Sequence, residues 1–148
     1  MRYSHLAVDV LNRDVGGAIH MIFVVSRDSG GLSVIQKLSH APRSGRTCLV
    51  QVLQPFTDPA ATRVLAMKFT VVTNSLYLGT DTSVVRMGVE RCRRFVTREQ
   101  CSEAADPYCG WDGTACTVRP DQQHATSWSQ QQLDCPAQNL PVRPNDFY

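Results

Sequence analysis

The chain has 148 residues, of which 43% are apolar and 19% are charged. This is the composition of a globular protein, which excludes a disordered or fibrous chain. The net charge of +2 is too small for a nucleic-acid partner or a general membrane surface, because such binding needs a dense field of lysine and arginine. The first ten residues contain no uninterrupted apolar run, so we expect neither a signal peptide nor a transmembrane helix in this segment.

Seven short runs rich in β-branched residues occupy the first ninety residues of the chain. Clusters of Asn, Asp, Gly and Pro separate the runs, and this pattern is typical of an antiparallel meander. The predicted strands cover residues 5–10, 19–26, 32–38, 47–53, 64–72, 75–80 and 83–89. The sequence therefore predicts an all-β fold for this part of the chain.

The predicted strands contain an internal repeat. Three of them recur in the same order further along the chain: residues 6–10, 22–25 and 34–38 correspond to 65–69, 76–79 and 84–89. The offset of about fifty to sixty residues, with four strands in each unit, is close to the size of a large propeller blade. A β-sandwich built from hairpins is the alternative interpretation.

The cysteines are unevenly distributed. Five of the six lie in the last third of the chain, at Cys92, Cys101, Cys109, Cys116 and Cys135, whereas Cys48 stands alone. Such clustering is typical of a small, loop-rich module held by disulfide bonds in an oxidising compartment. We therefore interpret the cysteines as structural.

A zinc site and a catalytic thiol are the other roles that cysteines could have. Zinc sites usually bring two closely spaced pairs of Cys or His to one ion, and no such pair occurs here. The four histidines, His5, His20, His40 and His124, are far apart in the sequence. No nucleophile motif and no phosphate-binding loop is present. We therefore expect no metal, no cofactor and no enzymatic activity.

Four stretches of sequence carry a resemblance to a known family. They are "LAVDVL", "MIFVVSRDSGGLSVIQKL", "LYLGTDTSVVRMGVERC" and "DPYCGWDGTAC", in that order. Together they resemble the end of a semaphorin, which implies the last one to two blades of a seven-bladed sema β-propeller followed by a small, disulfide-rich PSI (plexin, semaphorin, integrin) domain. The spacing within "VERCRRFVTREQCSEAADPYCGWDG" and the trailing "LDCPAQN" are most similar to class 5 semaphorins.

The resemblance implies a division of the chain. Residues 1–89 correspond to the propeller fragment, residues 91–136 to the PSI domain, and residues 137–148 to a linker tail. Two blades cannot close a propeller ring, so we expect this chain to be a piece of a longer protein.

The resemblance also implies disulfide pairs, namely Cys92 with Cys109 and Cys101 with Cys116. A small module of this size needs such bonds, because its hydrophobic core alone seldom provides enough stability. Tyr108 and Trp111 are the expected apolar filling of the module, beside a tight turn that begins at Asp106 and Pro107.

One cysteine of the family pattern is missing. Many other semaphorins carry a further cysteine at the position of Arg98, and that cysteine would be the partner of Cys135. Cys135 and Cys48 are therefore unassigned. A bond between these two cysteines is one hypothesis; a free thiol or a bond outside this segment is the other.

Arginines are concentrated around the predicted domain junction, at Arg91, Arg93 and Arg94. One interpretation is a weak contact with a sulfated glycan. The other is a solvated linker whose charge is offset by nearby glutamates, and the interleaving of acidic residues favours it.

For function, the resemblance implies an extracellular or cell-surface guidance cue that binds plexin receptors through the complete sema domain, generally as a dimer, and that steers axons and migrating cells. It assigns no receptor-contacting residue to this chain. A plexin-like or Met-like receptor ectodomain with the same domain order is the first alternative. A small secreted enzyme or inhibitor that uses the cysteine module alone is the second.

Overall fold

A computed structural model describes residues 2–12, 17–120, 128–130 and 135–136 of the chain. The described residues form two compact units, and the boundary between them lies between Val89 and Glu90. The predicted linker tail, residues 137–148, lies outside the described residues.

The first unit contains two antiparallel sheets. The four-stranded sheet has the order β1-β2-β3-β4 and the three-stranded sheet the order β5-β6-β7. The strands are β1 (Arg2–Leu11), β2 (Ile19–Arg27), β3 (Ser33–Ala41), β4 (Arg46–Leu53), β5 (Val64–Thr70), β6 (Ser75–Thr80) and β7 (Val84–Gly88). All seven predicted strands are present, so the prediction of an all-β fold is confirmed.

The predicted repeat corresponds to a repeat of strands. β1, β2 and β3 form a meander that β5, β6 and β7 reproduce in the same order. The first sheet continues into β4, which completes the four strands of the predicted unit. After β7 the chain passes into a 3-10 helix (Cys92–Arg94), and the described residues add no fourth strand to the second sheet.

The core of the first unit comes from strand alternation. Met21, Phe23 and Val25 on β2 point to the same face, because successive side chains of a strand alternate, and all three are buried. The Phe23 ring stacks on Phe69 of the second sheet, with ring centres 6.2 Å apart. Apolar packing of this kind holds the two sheets together, at about 1.5–3 kcal/mol for each large side chain that is fully buried.

A buried lysine makes a second link between the sheets. Lys37 on β3 is fully buried, and its Nζ donates a hydrogen bond of 2.7 Å to the carbonyl of Val89, directly after β7. A buried ammonium group is costly unless hydrogen bonds compensate it. The contact therefore fixes the end of the second sheet to the third strand of the first.

The second unit is small and contains little regular structure. It consists of the 3-10 helix, helix α1 (Arg98–Glu103), and the hairpin strands β8 (Cys109–Trp111) and β9 (Cys116–Val118). The Thr97 hydroxyl caps α1 by accepting a 3.1 Å hydrogen bond from the backbone N–H of Gln100. Neither of the two described helices is long and apolar enough to cross a membrane.

Candidate functional site

The predicted cysteine module centres on two disulfide bonds. The sulfur atoms of Cys92 and Cys109 are 2.01 Å apart, and those of Cys101 and Cys116 are 2.05 Å apart. The first bond joins the 3-10 helix to β8, and the second joins α1 to β9. The two bonds therefore tie both helices to the hairpin.

The two remaining cysteines, Cys48 and Cys135, are also disulfide-bonded. All six cysteines are among the described residues, and none of them is a free thiol. The hypothesis of a free thiol at Cys48 or Cys135 is therefore wrong for this structure. The hypothesis that these two cysteines pair with each other stays a prediction, which a non-reducing peptide map tests directly.

A group of three or more potential metal ligands occurs once in the described part of the chain, at Glu90, Cys92 and Cys109. A metal ion needs deprotonated thiolates, and the two sulfur atoms of this group are instead bonded to each other. The Glu90 carboxylate accepts a 2.9 Å hydrogen bond from the backbone N–H of Cys92. The three residues thus form a disulfide bond and a carboxylate that accepts a backbone hydrogen bond, and they do not form a metal site.

The motif "DPYCGWD" forms the turn that leads into β8. Asp106 is buried, and its side chain accepts a 3.0 Å hydrogen bond from the backbone N–H of Tyr108. Its backbone carbonyl accepts a second one from Cys109. Pro107 and Tyr108 are buried, as expected for the filling of the module, whereas Trp111 is only half-buried. Trp111 lines a shallow surface pocket, so it fills the module less completely than the sequence suggested.

A second tryptophan, which no sequence motif indicated, packs on the motif. The Trp128 indole lies against Gly110, and its Nε1 donates a 3.2 Å hydrogen bond to the carbonyl of Thr117. Any side chain at residue 110 would occupy the space that the indole ring fills. The glycine between Cys109 and Trp111 was the sequence signal for this close approach.

Residues 128–130 add a short third segment beside the hairpin. Ser129 exchanges two backbone hydrogen bonds with Trp111, of 2.9 and 2.8 Å. The Gln130 side-chain amide donates to the carbonyls of Pro107 and Cys109, at 2.9 Å each. The hydrogen bonds of Ser129 and Gln130 hold residues 128–130 against the hairpin and the turn that precedes it. The polar stretch that contains Gln130 has no strand pattern, so the sequence did not predict them.

The β8–β9 loop holds a carboxylate in its charged form. The backbone N–H groups of Thr114 and Ala115 donate to Oδ1 of Asp112 at 2.8 and 2.7 Å. These bonds, with a smaller contribution from the nearby Arg93 charge, lower the pKa of Asp112 below its usual value. The loop therefore favours the ionised form of Asp112.

The predicted arginine cluster lies at the start of the second unit. Arg93 and Arg94 on the 3-10 helix are exposed to solvent, whereas Arg91 is half-buried and its Nε is enclosed. Two of the three guanidinium groups thus face solvent.

Comparisons with known proteins identify the family. The model of the plexin repeat (PSI) family matches residues 91–136. Semaphorin 5c of Drosophila melanogaster is 33% identical over 147 residues, which is 95% of this chain and 13% of that protein. Semaphorin-5A of Rattus norvegicus is 31% identical over 144 residues, again 95% of this chain and 13% of that protein. The chain is a sema–PSI segment of the semaphorin family. The predicted similarity to class 5 semaphorins is confirmed.

Solved semaphorin structures share the fold of this segment. Extracellular domains 1–2 of Drosophila Semaphorin 1b match with a TM-score of 0.69 at 20% identity, over 90% of this chain and 28% of that chain. The structure of Drosophila Plexin A in complex with Semaphorin 1b matches with a TM-score of 0.64 at 20% identity, over 89% of this chain and 28% of that chain. The predicted combination of sema propeller strands and a disulfide-rich PSI region is confirmed.

Proposed function

We propose that this semaphorin segment is part of an extracellular guidance cue that binds a plexin receptor and acts by protein–protein binding, without catalysis. The observation that carries the proposal is the alignment of 95% of the chain with class 5 semaphorins, at 33% and 31% identity. The match to a Plexin A–Semaphorin 1b complex gives further support. The chain spans 13% of the length of these relatives, so the receptor role belongs to the longer protein.

The domain assignment within this proposal follows the sequence. Residues 1–89 are the end of the sema propeller, residues 91–136 are the PSI domain, and residues 137–148 are a linker. The structure supports the assignment with two paired sheets before Val89 and a disulfide-rich unit after it.

A plexin-like or Met-like receptor ectodomain is the competing function, because such receptors share the sema–PSI order. The relatives that align over 95% of the chain are semaphorins, which favours the ligand over the receptor. A small secreted enzyme or inhibitor has less support, since the cysteines of the module are disulfide-bonded rather than reactive.

Two further partners belong to the proposal. The longer protein forms a homodimer, as the family resemblance implies, and the exposed Arg93 and Arg94 make a weak contact with a sulfated glycan. Heparin chromatography of the chain and of an Arg93→Gln/Arg94→Gln variant tests the glycan contact. A lower salt concentration for elution of the variant is expected, and unchanged elution would refute the contact.

A chimeric protein tests the plexin proposal. The ectodomain of Drosophila Semaphorin 5c, with this chain in place of its equivalent segment, is compared with the parent ectodomain for binding to a panel of plexin ectodomains by surface plasmon resonance. We expect secretion of a folded chimera that binds the same plexins as the parent. A folded chimera that has lost all plexin binding, or a parent that binds none, would contradict the proposal.

A further inference from the structure

Two histidines that are distant in the sequence lie directly opposite each other in the first sheet. The registers of the four strands place Val10, His20, His40 and Thr47 in one row across β1, β2, β3 and β4. Cross-strand partners in such a row project to the same face of the sheet. The row thus places two imidazole rings side by side, with a hydroxyl on one flank and an apolar side chain on the other.

The two rings are close enough to share a ligand. Their centres are 6.1 Å apart, and the ring planes are inclined by 40°. A zinc ion bound by two imidazoles lies about 2.0–2.1 Å from one nitrogen of each ring, which places the ring centres roughly 5–6 Å apart. A small side-chain rotation would bring the rings of His20 and His40 to that separation.

A neighbouring residue prepares one of the rings for coordination. A hydrogen bond of 2.8 Å joins Nδ1 of His40 and the hydroxyl of Thr47. Histidines that bind metals almost always donate their second ring N–H to an oxygen, which fixes the tautomer and leaves the other nitrogen with its lone pair. In the tautomer of His40 whose Nδ1–H donates to Thr47, Nε2 is the nitrogen available to a metal.

The environment of the pair admits a ligand from solvent. Both rings are half-buried, Thr47 is exposed, and the Val10 side chain retains 49% of its exposure. A structural pair of core histidines would instead be enclosed by packing. His5 provides a contrast, because its Nε2 lies 3.0 Å from the carbonyl of Leu65 and its Nδ1 3.0 Å from the Ser4 hydroxyl, so both of its nitrogens are in use.

We propose that His20 and His40 form a binding site for a divalent transition-metal ion, with Thr47 as the residue that positions His40. Two neutral imidazoles suit Zn²⁺, Ni²⁺ and Cu²⁺, and they do not suit Mg²⁺ or Ca²⁺, which prefer oxygen ligands. Water completes the coordination shell. The site joins β2 to β3.

The test is a titration of the full chain, without a histidine tag, with ZnCl₂ in isothermal calorimetry. The variants are His20→Gln, His40→Gln and Thr47→Val, each of which keeps a side chain of similar size. We expect the two histidine variants to weaken Zn²⁺ binding more than about tenfold, because each removes half of the protein ligands, and Thr47→Val to weaken it by about tenfold. His5→Gln and His124→Gln are the matched controls and should leave the affinity unchanged.

A second measurement on the unmodified chain does not depend on how the variants fold. In ¹⁵N-detected imidazole NMR spectra, Zn²⁺ should shift a ring nitrogen of His20 and of His40 together, with the Nε2 resonance of His40 moving. MgCl₂ should shift neither. Equal shifts at His5 or His124, shifts at only one of the paired rings, or no response to Zn²⁺ would overturn the proposal.

Discussion

The two units of this semaphorin segment achieve stability in different ways. The first unit buries large apolar side chains between two sheets, with Phe23, Ile35, Leu76 and Leu78 at its centre. In the second unit, the disulfide bonds Cys92–Cys109 and Cys101–Cys116 join one 3-10 helix, one α-helix of six residues and two strands of three residues each. Among the described residues of the second unit, Tyr108 is the only aromatic residue that is buried.

The difference shows how chain length limits the choice of stabilising interaction. A sheet repeat of about fifty residues per blade can bury enough apolar area to offset the loss of chain entropy. A module with few apolar side chains cannot, and cross-links that restrict the unfolded chain stabilise it instead. Mutations in the two units should therefore produce effects of different kind and size.

The largest expected effect is a cavity in the first unit. Phe23→Ala should lower its free energy of unfolding by about 3–5 kcal/mol, because a buried ring that stacks on Phe69 is lost and the space is not refilled. Chemical denaturation followed by circular dichroism measures the change. Leu6→Ala is the matched control on β1, where the side chain is 63% exposed and the expected loss is small. Equal losses for the two variants would contradict an apolar core at Phe23.

Removal of a disulfide should affect the second unit to a slightly smaller extent. Cys92 and Cys109 are 17 positions apart, and a closed loop of this size contributes about 3 kcal/mol. In the Cys92→Ala/Cys109→Ala variant, hydrogen–deuterium exchange should increase in β8 and β9. If exchange in β2 and β6 increased as much, the two units would not be stabilised independently.

The next largest loss of stability is expected from a substitution that adds volume at the closely packed Gly110. Gly110→Ala places a methyl group against the Trp128 indole and 2.8 Å from the Ser129 carbonyl oxygen. We expect a loss of about 1–3 kcal/mol in the stability of the second unit, measured by the thermal shift of tryptophan fluorescence.

Two further variants separate overpacking from a general effect of alanine. Gly88→Ala in β7 has open space around the new methyl group and should be close to neutral. Trp128→Leu combined with Gly110→Ala should recover part of the loss, because the smaller side chain makes room. No recovery would mean that the clash is with the backbone of Ser129 rather than with the indole.

The smallest effect concerns pH. Hydrogen bonds from Thr114 and Ala115 lower the pKa of Asp112 in the folded state, so ionised Asp112 stabilises the second unit above the pKa of the unfolded state, which is about 3.9. This contribution is lost as the pH falls through the folded-state pKa. Asp112→Asn should therefore be less stable than the wild type at pH 7, and the difference should shrink as the pH falls below the pKa of the unfolded state. A difference that persisted at low pH would point to packing rather than charge.

The strand content, the repeat and the family can all be predicted from the amino-acid sequence alone. Alternation of β-branched residues is local information, so all seven strands could be read from it, and the order of the motifs around "DPYCGWDGTAC" identified a semaphorin. The Asp106 turn and burial at Tyr108 were also accessible, because a short motif encodes them. These features depend on neighbours in the chain.

Contacts between residues that are distant in the sequence depend on the tertiary fold. Trp128 reaches Gly110 across a stretch of polar sequence, and the packing of the two sheets brings the buried ammonium group of Lys37 to the carbonyl of Val89. His20 and His40 are twenty positions apart, and the register of β2 and β3 makes them neighbours. A register shifted by one residue would place the two rings on opposite faces, because side chains alternate along a strand. Register is set across the whole sheet, by the face that is buried and by the turns between strands, and not by the immediate neighbours of either histidine.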